Sequence, residues 1–386
     1  MTKPRDPHTI AVANGIATDR AFGAVTPPLY LSSTFAFPGY EKAGPYDYTR
    51  TANPSRDILA DTLAKLEGGA GAVVVCSGMA AIDVVLARVP TGGLVIAPHD
   101  CYGGTHRLLG VRQRCGQIEL ALVDFHDAAA LSAAMARSPK LVLIETPSNP
   151  LMRITDIRSV VAQARKVGAK VAVDNTFLSP ALQQPISLGA DFVIHSTTKF
   201  INGHSDVVGG AVIAAAKDDV DALAEWVNIV GVTGAPFDAY LTLRGVRTLF
   251  ARIERQQANA QAVADFLHKH QLVRAVYYPG LPSHPGHALA KRQQSGFGAM
   301  LSFELAGETK DVRAFVEAVQ VFTLAESLGG VESLIAHPAT MTHVKMGAEA
   351  RRIAGISDSL LRLSVGMEAE TDLIAGLEAG FAAMRS

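Results

Sequence analysis

The sequence predicts an α/β protein, with a mostly parallel seven-stranded sheet covered by helices, a smaller C-terminal α+β domain and an extended N-terminal arm. Three observations lead there. From about residue 58 to 247, short β-rich apolar runs alternate with runs of helical periodicity, as in a sheet buried on both faces. The 386 residues are 48% hydrophobic and 18% charged, which is enough apolar material for more than one core. The first 57 residues carry Pro27, Pro28, Pro38, Pro45 and Pro54 among scattered glycines with little periodicity, which reads as an arm lying on something else. The expected boundaries are 1–57 for the arm, 58–247 for the α/β domain and 248–386 for the C-terminal domain.

Taken in order, RDILADTLAKLEGG reads as a helix stopped at Gly68-Gly69. The apolar runs GAVVVC, GLVIAP, IELALVD, LVLIET, KVAVDN, DFVIHS and GGAVIAA read as strands. AAIDVVLARV, YGGTHRLLGVRQRCG, AAALSAAMARS and ITDIRSVVAQARKVG read as the helices between the first five. LTLRGVRTLFARIERQQANAQAVADFLHKH reads as one long amphipathic helix into the last domain. There GAMLSFEL, VFTLAES and LLRLSVG suggest strands and DVRAFVEAVQ a helix.

Composition removes several classes of function. Lys+Arg 35 against Asp+Glu 36 leaves a net charge of -1, without the positive excess that binds a phosphate backbone, so no nucleic-acid partner is expected. No run of 18 apolar residues suggests a membrane span. Cys76, Cys101 and Cys115 are an odd set with no C-x-x-C, which argues against a disulfide framework or a structural zinc. The opening MTKPRDPHTI resembles neither a secretory signal nor a transit peptide, so the expected location is the cytoplasm. Among the twelve histidines, His195 with His204 and His284 with His287 lack H-E-x-x-H spacing, and no metal is expected. The aliphatic surplus points to a large buried interface between copies.

In an open parallel sheet, ligands gather outside the carboxyl ends of the strands. The residues there are Cys76-Ser77-Gly78-Met79, His99-Asp100-Cys101-Tyr102, Glu145-Thr146-Pro147-Ser148-Asn149, Asp174-Asn175 and His195-Ser196-Thr197-Thr198-Lys199. VVVCSGMAAIDVV is strand, tight turn and helix, which aims free amides at an anion, yet it matches neither G-x-G-x-x-G nor the P-loop. Lys199, set after a buried strand among hydroxyls, is a candidate amine for a Schiff base. Asp174 closes the strand run VAVD. An amine for an aldehyde, a carboxylate for a pyridinium nitrogen and an anion cradle for a phosphate are together what pyridoxal phosphate requires. Ser196-Thr-Thr-Lys199 also matches the S-x-x-K of serine acyl-enzymes, but that class needs S-D-N and K-T-G. The chain has Ser205-Asp206-Val207 and no K-T-G.

At these residues the chain resembles the Cys/Met-metabolism family of pyridoxal-phosphate enzymes. The likeness lies in DNTFLSPALQQPISLGADFVIHSTTKFINGHSDVVGG, SGMAA, PHDCYGGTHRL, ETPSNPL, YDYTRTANPSRD and FTLAESLGGVESLIAHPATMTH, over essentially the whole chain. The resemblance implies the aspartate-aminotransferase type of fold (fold type I) and pyridoxal 5'-phosphate as cofactor. It implies Lys199 as the lysine bonded to the cofactor and proton shuttle, Asp174 as partner of the ring nitrogen and Tyr102 as the stacking ring. It places Ser77, Gly78, Met79, Ser196 and Thr198 around the phosphate, with Tyr48 and Arg50 reaching in from a neighbouring subunit. Thr51-Ala52 stands where a glycine is common in the family.

For the substrate, the resemblance implies Arg362 on the α-carboxylate, helped by Asn149, with Ser327 nearby. Glu326 and Asp47 fall at positions of specificity, and Arg107 would face a distal carboxylate. The implied reaction is γ-replacement, in which cysteine displaces succinate from O-succinyl-homoserine. The alternatives are γ-elimination from cystathionine and a related homoserine thiol-lyase reaction. The implied assembly is a homotetramer of dimers with shared sites, acting on small amino-acid substrates.

Overall fold

The computed structural model describes residues 5–344 and 347–384. Seven strands make the first sheet: β1 (Gly71–Val75), β2 (Gly93–Pro98), β3 (Ile118–Val123), β4 (Leu141–Glu145), β5 (Lys170–Asp174), β6 (Phe192–His195) and β7 (Gly210–Ala214). They lie in the order β1-β7-β6-β5-β4-β2-β3. β7 runs against both of its neighbours and the other pairs are parallel, so the sheet is mostly parallel, as the sequence suggests. β2, β4 and β7 are buried along their whole length, which is why they read as unbroken apolar runs. Side chains alternate between two cores. Leu141 and Leu143 face the helix Gly78–Leu86, while Val142 and Ile144 face Ile157, Val160 and Val161 on the other side.

The second sheet holds β8 (Val273–Tyr277), β9 (Met300–Leu305), β10 (Thr323–Leu324), β11 (Leu334–Ala336) and β12 (Leu360–Ser364), in the order β10-β11-β12-β9-β8. It packs on the helices Leu249–Lys269, Thr309–Ala318 and Glu370–Ala383 around a core of its own. Phe315 sits at the centre of that core, edge-on to Phe303 at 5.9 Å and to Phe381 at 4.9 Å. Gly380 presses on it so closely that a Cβ there would stand 2.8 Å from the ring.

Four sequence expectations need correction. The arm is not extended throughout, because Pro7–Ala13 is a helix: Asp6 caps it by accepting from the His8 amide and Pro7 pre-sets its first turn. Its Ala11 is buried against Leu59 and Leu63. The long helix expected from residue 241 is two helices, Pro236–Val246 and Leu249–Lys269. The first ends because the Gly245 carbonyl accepts from the Thr248 amide and the Arg252 guanidinium, which closes off its last turn. VFTLAES keeps only Thr323–Leu324 as strand, since Ser327 takes a positive φ of 82° that no strand tolerates. Strands β8 and β11 were not anticipated. β11 is three residues long, and β8 is a half-exposed edge without a clean alternation.

Replacing Phe315 by Ala should destabilise the second core by about 3–5 kcal/mol. Calorimetry should show this as a lowered unfolding transition.

Candidate active site

The first sheet builds most of the site by the direction of its strands. β2 and β4 are neighbours although β3 lies between them in sequence, so the chain departs to opposite sides of a crevice at their carboxyl ends. Tyr102 follows β2 and Asn149 follows β4. Glu145, the last residue of β4, ties the two loops: its carboxylate oxygens accept from the Tyr102 amide at 2.8 Å and the Asn149 amide at 3.1 Å. Asp174 ends β5 directly beside it in register. Lys199 follows β6 and points across the crevice to the second sheet, where β12 carries Arg362.

These elements enclose a cavity of about 560 Å³. Thirteen residues expected from the sequence line it. Ser77, Gly78, Met79, Ser196 and Thr198 form one end, and Tyr102, Asn149, Asp174 and Lys199 the middle. Arg107, Glu326, Ser327 and Arg362 form the remainder. The other three, Asp47, Tyr48 and Arg50, lie outside it. Arg50 donates to Asn228 Oδ1 at 3.2 Å and sits 5.5 Å over the Tyr48 ring, while Asp47 accepts from the Tyr48 amide. Their backbone is nevertheless fixed, because buried Arg56 donates to the carbonyls of Thr49, Arg50 and Gly234.

The Ser77 end is shaped for an anion. The Ser77 hydroxyl caps the helix Gly78–Leu86 by accepting from the Ala80 amide, leaving the first amides of that helix open to the cavity. Gly78 is required there: a Cβ would come 2.7 Å from the Ser196 Cβ. A Cβ on Gly210 would come 2.2 Å from the Ser77 carbonyl oxygen, so two backbones touch behind the turn. Thr198 Oγ1 exchanges hydrogen bonds with the Gly209 backbone and so fixes the facing loop.

The charges in the middle are under strain from burial. Lys199 Nζ donates to Ser327 Oγ at 2.6 Å. Its pKa is lowered to about 8, first by burial and then by the nearby Arg362 guanidinium, against the opposing pull of Glu326. Arg362 donates to Asn149 Oδ1 at 3.1 Å and to the Ser327 carbonyl at 2.8 Å. Its Nε is buried without a partner among the described residues, and burial lowers its pKa to about 10. Burial also raises Asp174 and Glu145, with the Asp174 charge adding to the rise at Glu145. Asp174 forms no ion pair among the described residues, and its hydrogen bonds come from Thr176.

Sequence reasoning gathered Glu145 at a strand end without giving it a role, and passed over Thr176, whose hydroxyl also accepts from the Ser196 amide at 2.9 Å. Their positions at the end of β4 and just after β5 were the available signal.

The site therefore offers an amine of lowered basicity, an anion cradle, a pair of carboxyls short of a cationic partner and a guanidinium with an unspent donor. Residues 8–382 match the model of the Cys/Met metabolism PLP-dependent enzyme family, and the chain belongs to that family. Its cofactor is pyridoxal phosphate, and the donor set fits it. The chain is 55% identical over 376 residues to cystathionine gamma-synthase of Escherichia coli (strain K12), covering 97% of each. It also superposes on cystathionine gamma synthase from Xanthomonas oryzae pv. oryzae, in complex with aminoacrylate and cysteine, with a TM-score of 0.98 at 57% identity over 99% of both chains. Cystathionine gamma-lyase from Lactobacillus plantarum, complexed with L-serine, is similar at a TM-score of 0.95 and 40% identity, over 99% of this chain and 100% of that one.

Only the neutral amine of Lys199 attacks an aldehyde, so capture of pyridoxal phosphate by the cofactor-free protein should be half-maximal near pH 8. Below that pH it should fall about tenfold per unit. Arg362→Leu removes a positive charge that disfavours the protonated amine, and stopped-flow absorbance should show the profile moved to higher pH.

Proposed function

We propose that this chain catalyses γ-replacement, joining cysteine to O-succinyl-homoserine with release of succinate to give cystathionine. The observation that carries the reading is that Lys199 and Arg362 face one cavity from two different sheets and meet at Ser327, the first through its hydroxyl and the second through its carbonyl. An amino acid whose α-carboxylate is held by Arg362 and Asn149 presents its Cα to the Lys199 amine. When bound, pyridoxal phosphate supplies an aldehyde for amines and an electron sink for the charge left when a proton leaves Cα. Lys199 is the base and acid that moves that proton, and Ser327 Oγ holds its Nζ in place. Asp174 is the carboxylate for the ring nitrogen, with Thr176 orienting it. Tyr102 covers the ring, and the Ser77–Met79 turn with Ser196 and Thr198 receives the phosphate.

Glu326 and Arg107 line the same cavity. We assign Glu326 to the amino group of the second substrate, joined by Asp47 from a second copy because Asp47 lies outside its own cavity, and Arg107 to the distal carboxylate of the succinyl group. The sequence division at residues 57 and 247 belongs to this proposal; the helix break at 247–248 supports the second boundary, while residue 57 lies inside the helix Pro54–Glu67. A cytoplasmic location is part of it too, supported by three free cysteines, and no described helix is long and apolar enough to cross a membrane.

Product analysis tests the reaction. With O-succinyl-homoserine and cysteine, cystathionine and succinate should accumulate together. If cystathionine alone is consumed faster, and the first pair yields only elimination products, γ-elimination is the function. Lys199→Ala should lower turnover by at least about 10³-fold, as expected for loss of both base and acid, while the folded protein retains some cofactor through its phosphate contacts.

The arm supports a shared site. Phe22 is 95% and Tyr40 91% exposed, an arrangement suited to burial against a second copy. Arg50 and Tyr48 are held on a pinned backbone, away from their own cavity. We infer a dimer in which they complete the neighbour's phosphate site, and a tetramer made of two such dimers. Mixing equal amounts of Arg50→Ala and Lys199→Ala chains should restore about a quarter of wild-type activity, since half the dimers then carry one intact site of two. No recovery after verified subunit exchange would exclude the shared site.

A further inference from the structure

One helix touches both halves of the site from behind. Leu249–Lys269 carries Arg252, Gln256 and Asn259 at spacings of four and three, hence on a single face. All three are at most 2% exposed. A buried polar row on a helix is costly unless its groups are spent on partners; here the donors are spent mainly on backbone carbonyls, while Gln256 Oε1 and Asn259 Oδ1 have no partner among the described residues. Arg252 donates to Phe200 O at 2.8 Å, Ile201 O at 3.3 Å and Gly245 O at 2.9 Å, with its Nε on Thr248 Oγ1. It makes no ion pair among the described residues, and burial lowers its pKa to about 10. One turn along, Gln256 donates to Gly330 O at 2.7 Å.

Those carbonyls flank the two residues that meet in the cavity. Phe200 and Ile201 follow Lys199 directly, and Gly330 comes three residues after Ser327. The two segments are dovetailed as well. A Cβ on Gly203, which has φ +73°, would lie 2.0 Å from Arg252 Nη1, and one on Gly329, at φ +80°, would lie 2.6 Å from the Phe200 amide nitrogen. Ser327 itself holds a left-handed φ of 82°, a conformation that persists only where its surroundings over-determine it. The surroundings are the Arg362 bond to its carbonyl, the Gly329 amide bond to Ser364 Oγ and the Gln256 bond to Gly330.

We propose that Arg252 and Gln256 are positioning residues that set the register of Lys199 against Ser327. The inference rests on Lys199 being the amine that takes the cofactor. Neither residue touches the cavity. They act through the two backbone segments, so that a 2.6 Å contact between side chains is fixed from one helix. Asn259, the third member of the row, donates to Gly366 and Glu368 carbonyls, beyond both segments. It supplies the control, being as deeply buried as Gln256 and also spent on backbone carbonyls.

The test compares Gln256→Met with Asn259→Leu, each near its parent in volume and lacking the donor. Both should lower the unfolding temperature. Only Gln256→Met should also move the pH profile of pyridoxal phosphate capture by the cofactor-free full-length chain. Ser327 Oγ accepts from Nζ and so favours the protonated amine, and its loss moves the midpoint down, by more than half a pH unit on our expectation. In the loaded enzyme the same variant should lower kcat about tenfold with KM unchanged, as for an interaction needed in the transition state. Arg362 on β12 and Glu326 on its loop, the charged groups that act on Lys199, stay unchanged in both variants, as does Asp174 on β5. Equal midpoints and equal kcat in the two variants would reduce Gln256 to a structural residue and overturn the proposal. Should Gln256→Met not fold, Arg252→Lys keeps the charge, gives up the fork and carries the same expectation and the same refutation. A Lys199→Ala chain that still formed the protein-bound absorbance band would refute the reading of Lys199 instead.

Discussion

A lysine amine and an arginine guanidinium that share a cavity repel one another, and much of the site is arranged around keeping Lys199 and Arg362 there together. The repulsion adds to burial in lowering the basicity of the amine, but it must be opposed by anchors on both sides. Arg362 is anchored through Asn149 and the Ser327 carbonyl. It comes from the second sheet and Lys199 from the first, so the site exists only while the two sheets are docked. The docking runs through the same loop: Ser302, paired with Arg362 across β9 and β12, donates to the Pro150 carbonyl at 2.7 Å, next to Asn149.

The opposite charges are placed with equal care. Glu145 and Asp174 end adjacent parallel strands, where no side chain separates them. Two carboxyls side by side in a dry place raise each other's affinity for a proton, and a cationic group held by Asp174 would relieve both. Glu145 is also a mechanical part, since both of its oxygens accept from loop amides. An amide side chain would have to turn a donor toward one of them. The cavity thus has a negative floor at the strand ends and a positive wall facing it.

Much of this was legible before any coordinates. Lys199, Asp174, Tyr102, Asn149 and the Ser77–Met79 turn all follow apolar runs, and the geometry of parallel sheets brings such residues together whatever lies between them. Arg362 sits within a strand of the second sheet, and only the family resemblance pointed to it. Asp47, Tyr48 and Arg50 lie outside the cavity of their own chain, and nothing in their local sequence pattern signals that position. The row of Arg252, Gln256 and Asn259 was invisible for a different reason. It sits on a helix that reads as amphipathic, where polar residues are expected to face water, and here they face carbonyls in the interior. The break at residues 247–248 was hidden likewise, since it joins the local Thr248 amide to Arg252 reaching back to the same Gly245 carbonyl.

The antiparallel course of β7 also has a consequence for biosynthesis. β1 has β7 as its sheet partner, and the turn that follows β1 is backed by Gly210. While the chain leaves the ribosome, β1 and the helix after it must therefore wait, unpaired, until Gly210–Ala214 has been made and has slotted in beside β6. Pairing over so long a separation is slow, and an apolar strand such as GAVVV is then an open edge ready to join another nascent chain. The step that seals the rim of the sheet is thus the same one that shapes the anion cradle.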